Sequence, residues 1–198
     1  MFTLNTSNMK TQYNKISIIF GLSVAGLMAG CSSTLSYNDA LQKNIKRIQD
    51  SEKLDDARFL VDAANFNILA TRLAEAAVES GYSASVVNMA KQNLGQHKAM
   101  QKELNKLARK EKIVLPAEMN EEHARLLADL TGSDRREFDR TYIRILREIN
   151  QEDSQKFSRM ATEAESDEIR AFAARKLGMF EGYETELQTV DADLLRTY

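Results

Sequence analysis

Apolar residues recur at spacings of three and four along most of this chain, and this period is the feature that most constrains its fold. From residue 54 onward it marks four long segments, each with one apolar stripe of the kind that lies along a helix. The first two stripes are Phe59, Ala63, Phe66, Ala70, Leu73, Ala77 and Val86, Ala90, Leu94, His97, Met100, Leu104, Leu107. The last two are Phe138, Tyr142, Ile145, Ile149, Phe157, Met160 and Ile169, Phe172, Ala173, Phe180, Tyr183, Leu187. Four such helices bury their stripes only by packing against one another.

The breaks between these segments indicate how the helices connect. The first link, 81–83, is so short that it predicts two antiparallel neighbours, and Ser133 and Ser166 are the predicted N-caps of the third and fourth long helices. The connection 113–132 is much longer and carries a short predicted helix at 120–130. We therefore predict an all-α fold, a ferritin-like four-helix bundle in which a helical hairpin is repeated in outline and one long crossover holds the extra helix.

Composition agrees with this fold class and excludes several others. The chain has 198 residues, 43% hydrophobic and 28% charged, which excludes a disordered chain and a polytopic membrane protein. With 8 glycines and 1 proline it is poor in turn formers, which argues against a many-stranded β fold. The single cysteine excludes an internal disulfide framework, and a net charge of −2 gives no sign of nucleic-acid binding.

Residues 1–30 resemble a bacterial lipoprotein signal peptide. An uncharged apolar run at 16–30 follows a polar, lysine-containing start, is too short to span a bilayer, and ends in small residues before Cys31. The resemblance implies cleavage before Cys31 and covalent lipid, including palmitate, on that residue; no other cofactor is expected. Ser32 resembles the pattern sorted to the outer membrane, so the expected location is the bacterial cell envelope, facing the periplasm. The alternative is an ordinary signal peptide or anchor with an incidental cysteine.

The predicted organisation has four parts. A weak amphipathic patch at Leu41, Ile45 and Ile48 also allows one short helix within the second part. The parts are a signal peptide at 1–30, the lipidated cysteine and a polar tether at 31–53, the helical bundle domain at 54–190, and a C-terminal tail at 191–198.

Four short elements resemble a bacterial family known as domain of unknown function 4142. They are Asp56-Ala57-Arg58-Phe59-Leu60, Asn88-Met89-Ala90-Lys91 leading to His97, Leu115-Pro116, and Phe138-Asp139-Arg140-Thr141-Tyr142. The resemblance covers roughly 54–190. It implies a ferritin-like bundle in an exported or lipid-anchored protein, and it implies no activity.

The ligands of a ferritin-like di-iron site are mostly missing. Such a site needs Glu-x-x-His pairs, whereas His97 and His123 are preceded at the third position by Leu94 and Asn120. Members of the resembled family often have histidines near Asn150 and near Gly182-Tyr183, and a glutamate near Asn67. We therefore expect no di-metal centre here.

His97 lies on the apolar stripe of the second long helix, and two interpretations follow. In the first it is a buried histidine that hydrogen-bonds a carboxylate or hydroxyl, with Asp62, Asp139 and Tyr142 as candidates. In the second, His97 and one of these carboxylates form a single metal or small-ligand site. Asp139 is also expected to stabilise the start of its own helix and to accept a hydrogen bond from another.

Four arginines form a second candidate feature, which we call the arginine stripe: Arg136, Arg140, Arg144 and Arg147. Their spacing puts them on one face of a helix. One interpretation is a solvated face paired with acidic residues, for which the candidates are Glu163, Glu165, Asp167 and Glu168. The other is a contact surface for an anionic lipid or polymer.

The chain has no glycine-rich phosphate loop and no nucleophile with a well-placed base, so an enzyme is not predicted. We predict a lipid-anchored periplasmic protein of unknown molecular activity, a non-enzymatic binding or structural component of the envelope. Its expected partners are the membrane, through the lipid, and an envelope protein or anionic polymer, but not nucleic acid. The alternative is a ferritin-like metal-binding or redox protein with a single site around His97.

Overall fold

The computed structural model describes residues 34–197, and within this range it contains six α-helices and no strand. The all-helical prediction is confirmed for these residues. Among the helices in this range, none combines the length and apolar character needed to cross a membrane. The predicted signal peptide and Cys31 lie outside the described residues. The helices are α1 (Tyr37–Arg47), α2 (Ser51–Ser80), α3 (Ala84–Glu111), α4 (Glu121–Gly132), α5 (Phe138–Glu163) and α6 (Asp167–Thr197).

The four long helices pack as two hairpins. Helix α2 packs along α3 and α5 packs along α6, while contacts of α2 with α5 and of α3 with α6 join the two hairpins. Helix α1 packs on α2, and α4 packs on both α2 and α5. The predicted stripes meet in the interior, where aromatic rings from α2, α5 and α6 contact one another with centroid distances of 4.9–6.4 Å.

Each hairpin is held at its link by a carboxylate from the other hairpin. Asp139, at the start of α5, accepts hydrogen bonds from the backbone N–H groups of Tyr82 (3.0 Å) and Ser83 (2.7 Å) in the link between α2 and α3. Ser83 is the N-cap of α3. A buried carboxylate therefore satisfies two backbone donors at the end of the neighbouring hairpin, as expected for Asp139.

Asp56 makes the equivalent contact in the opposite direction. From the second turn of α2 it accepts hydrogen bonds from the backbone N–H groups of Glu165 (3.1 Å) and Ser166 (2.8 Å), in the link between α5 and α6. Ser166 also caps α6 as predicted, since its hydroxyl accepts from Ile169 N–H at 3.4 Å. We call Asp56 and Asp139 the linker clamps.

The start of α5 differs from the prediction. Ser133 is not the N-cap of the third long helix but ends α4, where its backbone N–H and its hydroxyl both donate to the Leu130 carbonyl. A turn follows, stabilised by Asp134, whose carboxylate accepts the N–H groups of Arg136 (2.8 Å) and Glu137 (3.1 Å). Arg136 therefore lies in this turn and not on α5.

The helices also extend into the predicted tether and tail. Helix α1 lies within the tether, and buried Asn44 anchors it by hydrogen bonds to both the N–H (2.9 Å) and the carbonyl (2.8 Å) of Val114. Asp50 is the N-cap of α2, so α2 begins at Ser51, before the predicted boundary between the tether and the bundle domain at residues 53 and 54. Helix α6 continues through the tail to Thr197 because its apolar stripe extends to buried Leu194.

Candidate functional site

His97 is the centre of a buried polar cluster formed by α2, α3 and α6. Its side chain is 1% exposed, and both ring nitrogens have partners. Nδ1 lies 3.0 Å from Asn67 Oδ1 on α2, and Nε2 lies 3.1 Å from the Tyr183 hydroxyl on α6. The edge of the ring contacts Phe66, with centroids 5.6 Å apart.

The hydrogen bonds of Asn67 assign the tautomer of His97. The Asn67 amide nitrogen donates to the His97 carbonyl at 3.2 Å and to Gln101 Oε1 at 2.9 Å, which leaves its oxygen as the group that faces the ring. His97 Nδ1 must then carry the hydrogen, and Nε2 accepts a hydrogen bond from the Tyr183 hydroxyl. The donor and the acceptor are therefore assigned for each hydrogen bond that links Gln101, Asn67, His97 and Tyr183.

The cluster is uncharged near neutral pH. Burial, together with the positive charge of Lys176, lowers the pKa of His97 to about 4. Burial, together with the nearby Tyr142 and Glu186, raises the pKa of Tyr183. A neutral imidazole hydrogen-bonded to a neutral phenol is the form that this interior favours.

A small cavity lies beside the cluster. It has a volume of about 10 Å³ and is lined by His97, Tyr183 and Asn150 together with apolar side chains. The amide nitrogen of Asn150 donates to the Phe180 carbonyl at 3.2 Å. This cavity thus has room for no more than a molecule the size of water.

The structure does not bring the three expected partners to the His97 ring. Asp62 accepts a hydrogen bond from the Tyr37 hydroxyl at 2.6 Å, and Asp139 is a linker clamp. Tyr142 is fully buried beside the Asn93 amide. The buried His97 does have a hydroxyl partner, as the first interpretation expected, but it is Tyr183 and none of the three named candidates; its second partner is the Asn67 amide. The packing register of α2 and α6 on α3 places these two residues opposite His97.

The sequence contains a signal for this cluster beyond the apolar period. The positions near Asn67, Asn150 and Tyr183 are those at which the family resemblance implies a glutamate and histidines in other members, and in the structure all three residues surround His97. Asn67 and Asn150 are also buried amides on otherwise apolar stripes. Their convergence with His97 marks this interior as the best candidate site.

The residues of the cluster do not fit the metal centre that the ferritin-like resemblance implies. His97 is its one imidazole, its other polar groups are amides and phenols, and no carboxylate hydrogen-bonds to the ring. Across residues 34–197, no group of three or more histidine, cysteine or acidic side chains could hold a metal ion. Divalent metal ions need anionic or imidazole ligands in larger number than this cluster supplies.

A second cluster of ionisable groups, which was not predicted, lies on α5. Asp153 is 2% exposed and lies 3.4 Å from Lys156 Nζ, which also pairs with Glu152 at 2.7 Å. Burial raises the pKa of Asp153 to about 7, with Glu152 and Asp62 adding to the rise and Lys156 opposing it. Asp153 is therefore expected to change its charge near neutral pH.

All four arginines of the arginine stripe are exposed or half-exposed, and the three that lie on α5 pair with nearby acidic residues. Arg140 lies 3.7 Å from Glu137, Arg144 lies 3.4 Å from Glu148, and Arg147 lies 3.0 Å from Asp191. The four acidic candidates expected for this role pair elsewhere, because their segment faces other cations. Those cations are Arg159 for Glu163, Lys53 for Glu165, Arg170 for Asp167 and Lys110 for Glu168.

The comparisons with known proteins give one finding. A family model described as "Domain of unknown function (DUF4142)" matches residues 44–190, well over half of the chain. No curated protein and no solved structure matches this protein.

Proposed function

The chain belongs to the DUF4142 family. We propose that it is a non-enzymatic binding or structural component of the bacterial cell envelope. One observation carries the non-enzymatic part: His97 is 1% exposed, and both ring nitrogens are already hydrogen-bonded within the protein. A general base or a metal ligand needs a ring nitrogen that can reach its substrate or ion. The sequestered, neutral ring favours a structural role for His97.

We also propose that α2, α3, α5 and α6 form a ferritin-like four-helix bundle. The contacts of α2 with α5 and of α3 with α6 support this arrangement, as does the reciprocal use of the linker clamps. The connection from α3 to α5, which contains α4, is the long crossover of such a bundle. A rigid bundle of this kind would act through its surface and not through its interior.

We propose that lipid on Cys31 holds the protein at the outer membrane, facing the periplasm. The apolar run at 16–30 that ends in small residues before Cys31 supports this location. Labelling cells with radioactive palmitate tests the anchor, with Cys31→Ser as the variant. Label in the native protein that disappears in the variant is the expected result, whereas equal label in both, or none in either, would contradict the anchor.

The arginine stripe is the proposed contact surface for an anionic lipid or polymer of the envelope. Its ion pairs are half-exposed, with side-chain exposures of 48%, 56% and 40% for Arg140, Arg144 and Arg147. Exposed pairs contribute only about 0–1 kcal/mol each, so phosphate groups could replace the paired carboxylates at small cost. Crosslinking from position 144 in intact envelopes would distinguish a lipid or polymer from an envelope protein as the partner.

Metal analysis of the purified protein tests the competing function, a metal-binding or redox site at His97. We expect no stoichiometric metal in the native protein or in His97→Ala. Iron, zinc or manganese bound in stoichiometric amount to the native protein and lost in His97→Ala would overturn the non-enzymatic proposal.

A further inference from the structure

Two asparagines occupy equivalent positions in the two hairpins. Asn67 on α2 and Asn150 on α5 each lie eleven positions, or about three helical turns, after a linker clamp, Asp56 and Asp139 respectively. Each asparagine donates from its amide nitrogen, at 3.2 Å, to the backbone carbonyl of a residue 30 positions later on the partner helix. The two amides are therefore held in the same way, and a comparison between them is direct.

The two amide oxygens differ because the residues opposite them differ. Asn67 Oδ1 faces His97, whose Nδ1–H donates to it at 3.0 Å. The residue equivalent to His97 in the second hairpin is Phe180, and a phenyl ring has no hydrogen to donate. As a result, no group among the described residues donates to Asn150 Oδ1, although Asn150 is only 6% exposed. A buried amide oxygen without a donor is costly to the fold.

The cavity of about 10 Å³ supplies a place for the missing donor. Asn150 and Tyr183 both line it, and the Tyr183 hydroxyl uses its hydrogen in the bond to His97 Nε2. The Tyr183 oxygen therefore keeps lone pairs that can accept. A volume near 10–15 Å³ is the least that holds one water molecule, provided that two or more polar partners are present. The cavity has a volume at the lower end of this range, and Asn150 and Tyr183 supply two polar partners in its lining.

We propose that one buried water molecule binds in this cavity and donates one hydrogen bond to Asn150 Oδ1 and one to the Tyr183 oxygen. The water takes the place in the second hairpin that the His97 N–H takes in the first. It completes a hydrogen-bonded line across the core, from Asn67 through His97 and Tyr183 to Asn150, so that all four long helices contribute to one polar network.

The chemistry of the cavity selects water over an ion. Both polar groups left to satisfy are neutral acceptors, which exclude an anion. A cation would meet one amide oxygen and one phenol oxygen beside an imidazole near the positive charge of Lys176. Larger neutral molecules exceed the volume. A single molecule with two hydrogens to donate fits both the space and the unmet acceptors.

Oxygen-17 magnetic relaxation dispersion on the full-length protein counts long-lived internal waters and tests the proposal. The test variant is Asn150→Leu, which removes the acceptor at similar side-chain size. The matched control is Met89→Leu, since Met89 lines the same cavity without a polar hydrogen-bonding group. We expect one fewer long-lived water in Asn150→Leu and an unchanged number in Met89→Leu. An equal number in the native protein and a folded Asn150→Leu would overturn the proposal.

A high-resolution crystal structure of the native protein gives a second test that does not depend on a variant that folds. Density for a water within hydrogen-bonding distance of both Asn150 Oδ1 and the Tyr183 oxygen is the expected result. An empty cavity would contradict the proposal, and so would a peak with an anomalous signal, which would identify a metal ion instead.

Discussion

Removal of the Asp139 linker clamp should destabilise the protein strongly. Its carboxylate is 0% exposed and accepts two backbone N–H groups at 3.0 and 2.7 Å. A hydrogen bond to a charged acceptor contributes about 1.5–3 kcal/mol, so the two together contribute about 3–6 kcal/mol. Alanine supplies no acceptor for either backbone N–H group. We therefore expect Asp139→Ala to lower the free energy of unfolding by about 3 kcal/mol.

Two further variants make this measurement decisive. Asp139→Asn keeps one oxygen acceptor but turns an NH2 donor toward the other backbone N–H, so it should lose about as much as Asp139→Ala, roughly 3 kcal/mol. Asp55→Ala is the matched control, since Asp55 lies on α2 with an exposed side chain (58%) and pairs only with Arg58 at 3.4 Å; its loss should stay within about 0.5 kcal/mol. Urea denaturation followed by far-ultraviolet circular dichroism gives all three values. An Asp139→Ala loss no larger than that of Asp55→Ala would refute the clamp.

Three other predictions follow from charge and burial. The pKa of Asp153 is raised to about 7, so burial of its carboxylate lowers the free energy of unfolding increasingly as pH rises from about 4 to 7. In the same denaturation assay, Asp153→Asn should raise the free energy of unfolding at about pH 8, by at most about 4 kcal/mol. Near pH 4 the same variant should change it little. The pKa of His97 is lowered to about 4, so the neutral ring contributes fully to the stability of the fold above about pH 6.5, and this contribution is lost as pH falls toward 4. An NMR titration that shows His97 protonating near pH 6.5 would contradict its assigned environment. Replacing Arg140, Arg144 and Arg147 together by Gln should change stability by less than about 2 kcal/mol but should abolish binding to anionic lipid vesicles; retained binding would rule out the arginine stripe as the contact surface.

The features that could be predicted from the sequence are those encoded locally. The apolar period marks the four long helices, and capping residues such as Ser166 and the short link at 81–83 mark where they begin and end. The prediction of Ser133 as an N-cap is wrong for a local reason as well. The next residue, Asp134, accepts the backbone N–H of Glu137 three residues later, as an N-cap side chain does, and so takes the role predicted for Ser133. Serine and aspartate are both favoured N-caps, so the residue types alone do not decide between them.

The apolar period alone does not predict the partners of His97, because they depend on how far α2 and α6 slide along α3. That register is set by the packing of whole stripes, in which the large rings of Phe66 and Phe180 determine how the helices fit. The signal for these partners lay instead in Asn67 and Tyr183, positions near which the family resemblance implies other residues. Asp153 could have been found: it lies four residues after Ile149 and four before Phe157, and so on the buried face of α5. An acidic residue on an apolar stripe is a signal for a shifted pKa.

If Cys31 carries the proposed lipid, the docking of α1 limits the distance between the bilayer and the start of the folded domain. Helix α1 begins at Tyr37, whose hydroxyl is bonded to Asp62, and Asn44 fixes the helix to Val114. An extended chain covers about 3.5 Å per residue, so residues 32–36 can reach only about 20 Å. A lipid on Cys31 would hold the start of α1 within about 20 Å of the surface. Under the proposed anchor, a partner at the bilayer surface would therefore meet the part of the domain beside α1 first.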